Sequence, residues 1–142
     1  MSINRGDRFT ITDKQIEYYT DFMNDFELNP ITGLLAKVSN EDSIKQSLKN
    51  LVLTKRTERF YKSFIGSRIE AMLFDPMDEV TQSAIQDEIR ETILNNEPRV
   101  KLIEVLAVPN QDANQYDVTI TFQILNKIAD PVTLNLALKR VR

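Results

Sequence analysis

The chain has 142 residues, 42% of them apolar and 27% charged, which suits one ordinary globular domain with a single core. A net charge of −3 argues against a general nucleic-acid binder, and the lack of any cysteine or histidine removes disulfides, thiolate metal sites and the side chain best suited to proton transfer at neutral pH. With no apolar run near the ~20 residues of a membrane span and no signal-peptide core, a cytoplasmic protein or part of an assembly built there is expected, and 3 glycines and no tryptophan weigh against a phosphate-cradling loop or an aromatic sugar platform.

In chain order, Thr12 and Gln15 have the spacing of a capping box. Ile16, Tyr19, Phe22, Met23 and Phe26 follow at helical spacing, which predicts an amphipathic N-terminal helix that ends at Asn29-Pro30. Its stripe needs cover from its own domain or from a partner, and the domain is the favoured choice. After a loop containing Gly33, Ser39-Asn40-Glu41-Asp42 marks a helix N-terminus with acids in its first turn, and Ile44, Leu48, Leu51 and Val52 form one face. The stretch from Thr54 to Ser67 has no clean period and reads as an ordered loop, with a turn at Gly66. Ile69, Met72, Leu73 and Phe74 make a short apolar helix stopped by Asp75-Pro76.

The longest helix is expected from Glu79 to about Asn95, capped by Asp78, with Val80, Ala84, Ile85, Ile89 and Ile93 as its buried face. Asn95-Asn96 suits its exit, because asparagine tolerates the left-handed conformation. Three strands follow. In Val100 to Val108 the apolar positions change parity near Ile103-Glu104-Val105, which indicates a bulge or a strand covered on both sides. Tyr116 to Ile124 and Val132 to Lys139 each alternate apolar with polar residues, as half-buried antiparallel strands do. The fold class is therefore α+β, with helices first and the long helix packed on a mainly antiparallel sheet of about three C-terminal strands.

Two places stand out as candidate sites. At Glu97-Pro98-Arg99 a stiff proline corner separates helix from strand. It can be a plain turn, a catalytic acid or a docking point. Glu97 lies at the negative end of the helix dipole and needs a cation. Arg99 is close, but strand neighbours face opposite ways, so Arg59 or Arg68 can answer Glu97 instead and leave Arg99 facing outward. The last strand, Val132-Thr133-Leu134-Asn135-Leu136-Ala137-Leu138, should lie at a sheet edge, and it carries no proline, bulge or inward charge to defend that edge. An open edge can accept a strand from another chain, although many such edges are simply covered by a loop. Beyond it, Lys139, Arg140 and Arg142 form a basic end that reads equally as a solvated tail or a docking surface.

The order of signals resembles the baseplate wedge and sheath-initiator family of contractile-tailed phages, the GPW family, whose counterpart in type VI secretion is TssE. The matching pieces are Thr54 with Arg59, Phe64-Ile65-Gly66-Ser67, Leu73-Phe74-Asp75-Pro76 and Glu97-Pro98-Arg99. They span roughly residues 41–142. Two departures occur in the loop: the family's usual glycine is Thr57, and Ile65 splits its aromatic–glycine pair.

The resemblance implies an N-terminal extension over 1–38 and a wedge domain over 39–142. It implies a structural role in a virion tail baseplate assembled in the host cytoplasm. Glu97, Pro98 and Arg99 would dock on a helical bundle of wedge subunits, Arg59 and Gly66 would support the loop, and Val132 to Leu138 would take strands from the tail sheath. Tail tube or hub proteins are further neighbours it allows. No metal, cofactor, nucleic acid or membrane is expected as a partner. Alternatives are a TssE-like part of a secretion baseplate and, with less support, a tail-associated lysozyme, since family members have carried that label. Glycoside hydrolysis needs two carboxyls roughly 5–10 Å apart, one of them with a raised pKa. A neighbouring arginine would push Glu97 the other way, so no enzymatic activity is expected.

Overall fold

The central strand of the main sheet, β4 (Gln115–Ile124), is apolar on one face only, and Tyr116, Val118, Ile120, Phe122 and Ile124 are all buried. The computed structural model describes residues 19–125 and 130–140. On one side β4 pairs antiparallel with β3 (Val100–Asn110), on the other with β5 (Val132–Lys139), giving the order β3-β4-β5. The parity change in β3 is a bulge: the register shifts between Leu102 and Glu104, which lets Val100 and Val105 both face the core. The expected α+β class holds, with the helices preceding this sheet.

Three helices cover the inner face. In α1 (Asn40–Leu53) the buried side chains are Ser43, Ile44, Leu48, Leu51 and Val52, the stripe read from the sequence with one serine added. A single turn, α2 (Ile69–Met72), inserts Ile69. The longest, α3 (Glu79–Asn96), begins where the Asp78 carboxylate accepts the backbone N–H of Thr81 at 2.8 Å. Ile85, Ile89 and Ile93 bury as expected, but Val80 is 77% exposed, and Thr81, Glu88 and Thr92 take the remaining inward positions. Val80 lies five residues before Ile85 and so points away from the inward stripe, which Thr81, four residues before Ile85, continues. Neither Asn95 nor Asn96 is left-handed at the exit. Instead the Asn96 amide donates to the Thr92 carbonyl at 2.8 Å.

The N-terminal helix is a correction over its described part. Thr20–Phe22 forms a short strand, β1, paired with β2 (Lys37–Ser39), and Leu28 bridges Leu35 between them. The turn is built by Asn29, whose side-chain oxygen accepts the N–H of Ile31 and whose carbonyl accepts that of Gly33. Gly33 has φ +66, a left-handed value that suits the reversal. Phe22 and Phe26 are 48% and 68% exposed, so the aromatic stripe does not bury on the domain. Tyr19 does pack against the core. The hairpin is tied to α1 by Gln46, which donates to the Phe22 carbonyl, and by Asn24 with Asn50. Thr12, Gln15 and Ile16 lie outside the described residues.

Candidate functional site

The corner is closed by an ion pair. Glu97 ends α3, with its N–H bonded to the Ile93 carbonyl, and Arg99 leads into β3. Pro98 and Arg99 form a turn between α3 and β3, and this turn brings the Arg99 side chain back onto Glu97. Arg99 Nε donates to Glu97 Oε1 at 2.6 Å and Arg99 Nη2 to Oε2 at 2.6 Å, a two-pronged fork. Ser47 of α1 donates its hydroxyl to Oε2 at 2.8 Å and accepts from Arg99 Nη2 at 3.2 Å. The Arg99 guanidinium also lies 5.4 Å from the centre of the Tyr19 ring. Of the two arrangements the sequence left open, Glu97 takes Arg99 and not a more distant arginine. Arg68 goes elsewhere. Arg59 faces Glu97 only across a polar depression of about 220 Å³ that Asp21, Ser47, Asn50 and Asn96 also line.

Glu97 is 5% exposed. Burial alone would raise its pKa, but the hydrogen bonds from Arg99 and Ser47, with the Arg99 charge, outweigh burial and hold it below the ordinary carboxylate value. The Arg99 pKa is raised, chiefly by its bond to Glu97. At this corner Pro98 is exposed, and one third of the Arg99 side chain reaches solvent.

A second buried carboxylate was missed from sequence. Glu88 of α3, 4% exposed, accepts the Arg68 backbone N–H at 3.0 Å and the Arg68 guanidinium at 3.0 and 3.3 Å. Arg56 approaches it at 3.9 Å. Burial raises the Glu88 pKa, yet the bonds and charge of Arg68, aided by Arg56, bring it below the ordinary value. Both arginines belong to the base of the loop between α1 and α2, so Glu88 fastens that loop to α3. The available signal was an acid placed within the apolar stripe, three residues after Ile85.

The loop itself is closed by backbone bonds from Arg56 N–H to the Ser67 carbonyl and from Ser67 N–H to the Thr54 carbonyl. Gly66 sits at φ +123, where an added Cβ would lie 2.6 Å from the Thr54 oxygen, so only glycine fits. Thr57, which stands where a glycine was expected, has φ +79, a value costly for a β-branched residue.

The two sheet edges differ. Strand β3 carries the bulge and Pro109, α3 runs along it, and the Gln86 side chain reaches the Ala107 carbonyl at 3.5 Å. Strand β5 pairs with β4 in unbroken register from Val132 to Lys139, and among the described elements only β4 runs along it. Val132, Leu136 and Leu138 point into the core, Leu134 is half-buried, and Thr133, Asn135 and Ala137 are exposed. At its end Arg140 donates to the Phe74 carbonyl at 3.2 Å and lies 5.1 Å from that ring's centre, so one member of the basic end is engaged within the chain.

The family model described as baseplate wedge protein gp25 matches residues 38–129. Over 96 residues the chain is 27% identical to baseplate wedge protein gp25 of Enterobacteria phage T4, covering 68% of this chain and 73% of the phage protein. Among solved structures, a chain of the anti-feeding prophage baseplate superposes with a TM-score of 0.68 and 25% identity, over 78% of this chain and 89% of that one. A chain of the postcontracted baseplate of pyocin R2 gives 0.55 and 26%, over 69% and 96%. A suggested tail lysozyme from Geobacter sulfurreducens gives 0.60 and 25%, over 70% and 91%.

Proposed function

The chain belongs to the baseplate wedge protein gp25 family, and we propose that in a contractile-tail baseplate it docks on wedge subunits through Glu97-Pro98-Arg99 and starts the sheath by offering β5 to an incoming strand. One observation carries this reading: β5 pairs with β4 in unbroken register, without proline or bulge, and among the described elements no other runs along it, whereas the sheet's opposite edge is bulged, proline-bearing and flanked by a helix. The corner supports it in a different way. Glu97 is spent on Arg99 and Ser47, so the fork stiffens the turn, and exposed Pro98 and the outer side of Arg99 are what a neighbour would meet. Arg59 and the polar depression lie beside that surface. We assign the wedge role to residues 39–142 and treat 1–38 as an extension.

Peptidoglycan cleavage is the weaker reading. A general acid needs a raised pKa, whereas Glu97 is lowered and both of its oxygens accept hydrogen bonds. The parent particle is a phage tail in this reading. A tail-derived device is the second choice, favoured by the likenesses in an anti-feeding prophage and a pyocin.

The test uses prolines at Leu134 and Asn135 in separate variants. Successive N–H groups along a strand point to opposite sides, so one proline breaks the β4 ladder and the other strikes the open edge. The variant that keeps its fold should build baseplates that fail to grow sheath. Normal sheath on those baseplates would exclude β5 as the nucleating edge. For the corner, Pro98→Arg adds bulk at an exposed position and should block wedge association. Unimpaired association would remove the corner from the interface.

A further inference from the structure

Beside the open edge of β5 lies a groove of about 210 Å³. Its apolar wall comes from Val52 and Leu53 at the end of α1 and from Ile69 and Leu73 around α2. Three consecutive residues of β5, Ala137, Leu138 and Lys139, line the other side, and no residue of β4 does. Consecutive strand residues point to opposite faces. A groove touched by all three therefore opens on the strand's edge, where a further strand would lie. Its volume falls below the roughly 300–1,000 Å³ of small-molecule sites and matches one or two side chains. Leu53, 55% exposed, forms an apolar lip, while Ile69 and Leu138 beneath it are buried. Lys55, Glu70 and Lys139 supply a charged rim, the first two paired at 3.5 Å.

We propose that this groove is a side-chain socket that selects which strand β5 accepts, and the proposal rests on the β-augmentation reading above. Residues directly opposite one another on paired strands point to the same face. The partner residue opposite Leu138 thus turns inward, over Ile69 and Leu73, and must be a branched apolar side chain of leucine size. Its neighbours in sequence turn toward solvent, and the one opposite Lys139 is best served by a carboxylate, since opposite charges across a pair attract. The occupant is a strand of another protein with the pattern acid–apolar–polar at this point.

The experiment titrates the ¹⁵N-labelled full chain with the peptides Thr-Val-Glu-X-Glu-Val-Thr, blocked at both ends, where X is leucine, glycine or aspartate. The acids on both sides of X make the probe indifferent to strand direction. Binding is read from the β5 amide shifts up to millimolar peptide. The leucine peptide should bind about 10-fold more tightly than the glycine peptide, the gain expected from burying one such side chain, and the aspartate peptide should be weakest. In Leu53→Ser, at the solvent lip, the leucine preference should shrink while the glycine peptide binds as before. Equal binding of all three peptides with clear β5 shifts would overturn the socket and leave strand addition standing. Absence of any β5 shift with every peptide would overturn both.

Discussion

The Arg99 guanidinium grips the Glu97 carboxylate with two hydrogen bonds of 2.6 Å, and Ser47 of α1 bonds to both partners. The corner between α3 and β3 is therefore clamped to a third element. Removing the arginine would leave a buried carboxylate with a hydroxyl as its remaining side-chain donor. Because Arg99 is one third exposed, water softens the loss, and Arg99→Ala should lower stability by about 2 kcal/mol. Arg99→Lys keeps the charge but not the fork, and should lose about half as much. Urea unfolding followed by circular dichroism measures both, and equal midpoints for wild type and alanine variant would show that the clamp does not brace the fold.

The same chemistry sets an acid limit. Glu88 and Glu97 have folded pKa values below their ordinary 4.5, so the unfolded chain takes up protons first as pH falls. The stabilisation they provide is complete above about pH 4.5 and is lost as pH drops through the lower folded values. Urea midpoints measured between pH 6 and pH 3 should hold steady and then fall. Glu97→Gln should start lower and decline less steeply across the same acid range, whereas parallel curves would remove Glu97 as a source of the pH dependence.

Backbone conformation gives a pair of opposite outcomes in the loop. Gly66→Ala forces a methyl against the Thr54 carbonyl at φ +123, and it should destabilise by about 2 kcal/mol or more.

At Thr57, φ +79 burdens a β-branched residue, so Thr57→Gly should relieve more strain than it adds in chain entropy. The expected gain is about 1 kcal/mol. Thermal melting orders these variants around the wild type, and a less stable Thr57→Gly chain would contradict the strain argument.

Much of this architecture is legible from periodicity. The stripe Ile85, Ile89, Ile93 and the alternation through β4 and β5 leave few other ways to bury those side chains. The bulge was visible as a parity change near Ile103. Tyr19, Phe22 and Phe26 were misleading, because helical spacing over a short segment also occurs by chance. The turn chemistry of Asn29 to Gly33 signalled a reversal that the reading of Pro30 as a helix stop passed over. At the site, Glu97 and Arg99 meet across the turn at Pro98, and strand alternation, which governs extended chain, does not describe that turn. Ser47 was not predictable, since it is 50 residues away and no local pattern marks it. Glu88 needed the three-dimensional approach of two loop arginines to explain an acid among isoleucines.

The unlike borders of the sheet bear on what the molecule can build. Among the described residues, β3 is bulged and has a helix along it while β5 has neither, so two copies have no matching pair of borders to join in series. On the proposed reading, such a subunit serves as the first rung of a ladder made of other chains and not as a link in a fibre of its own kind.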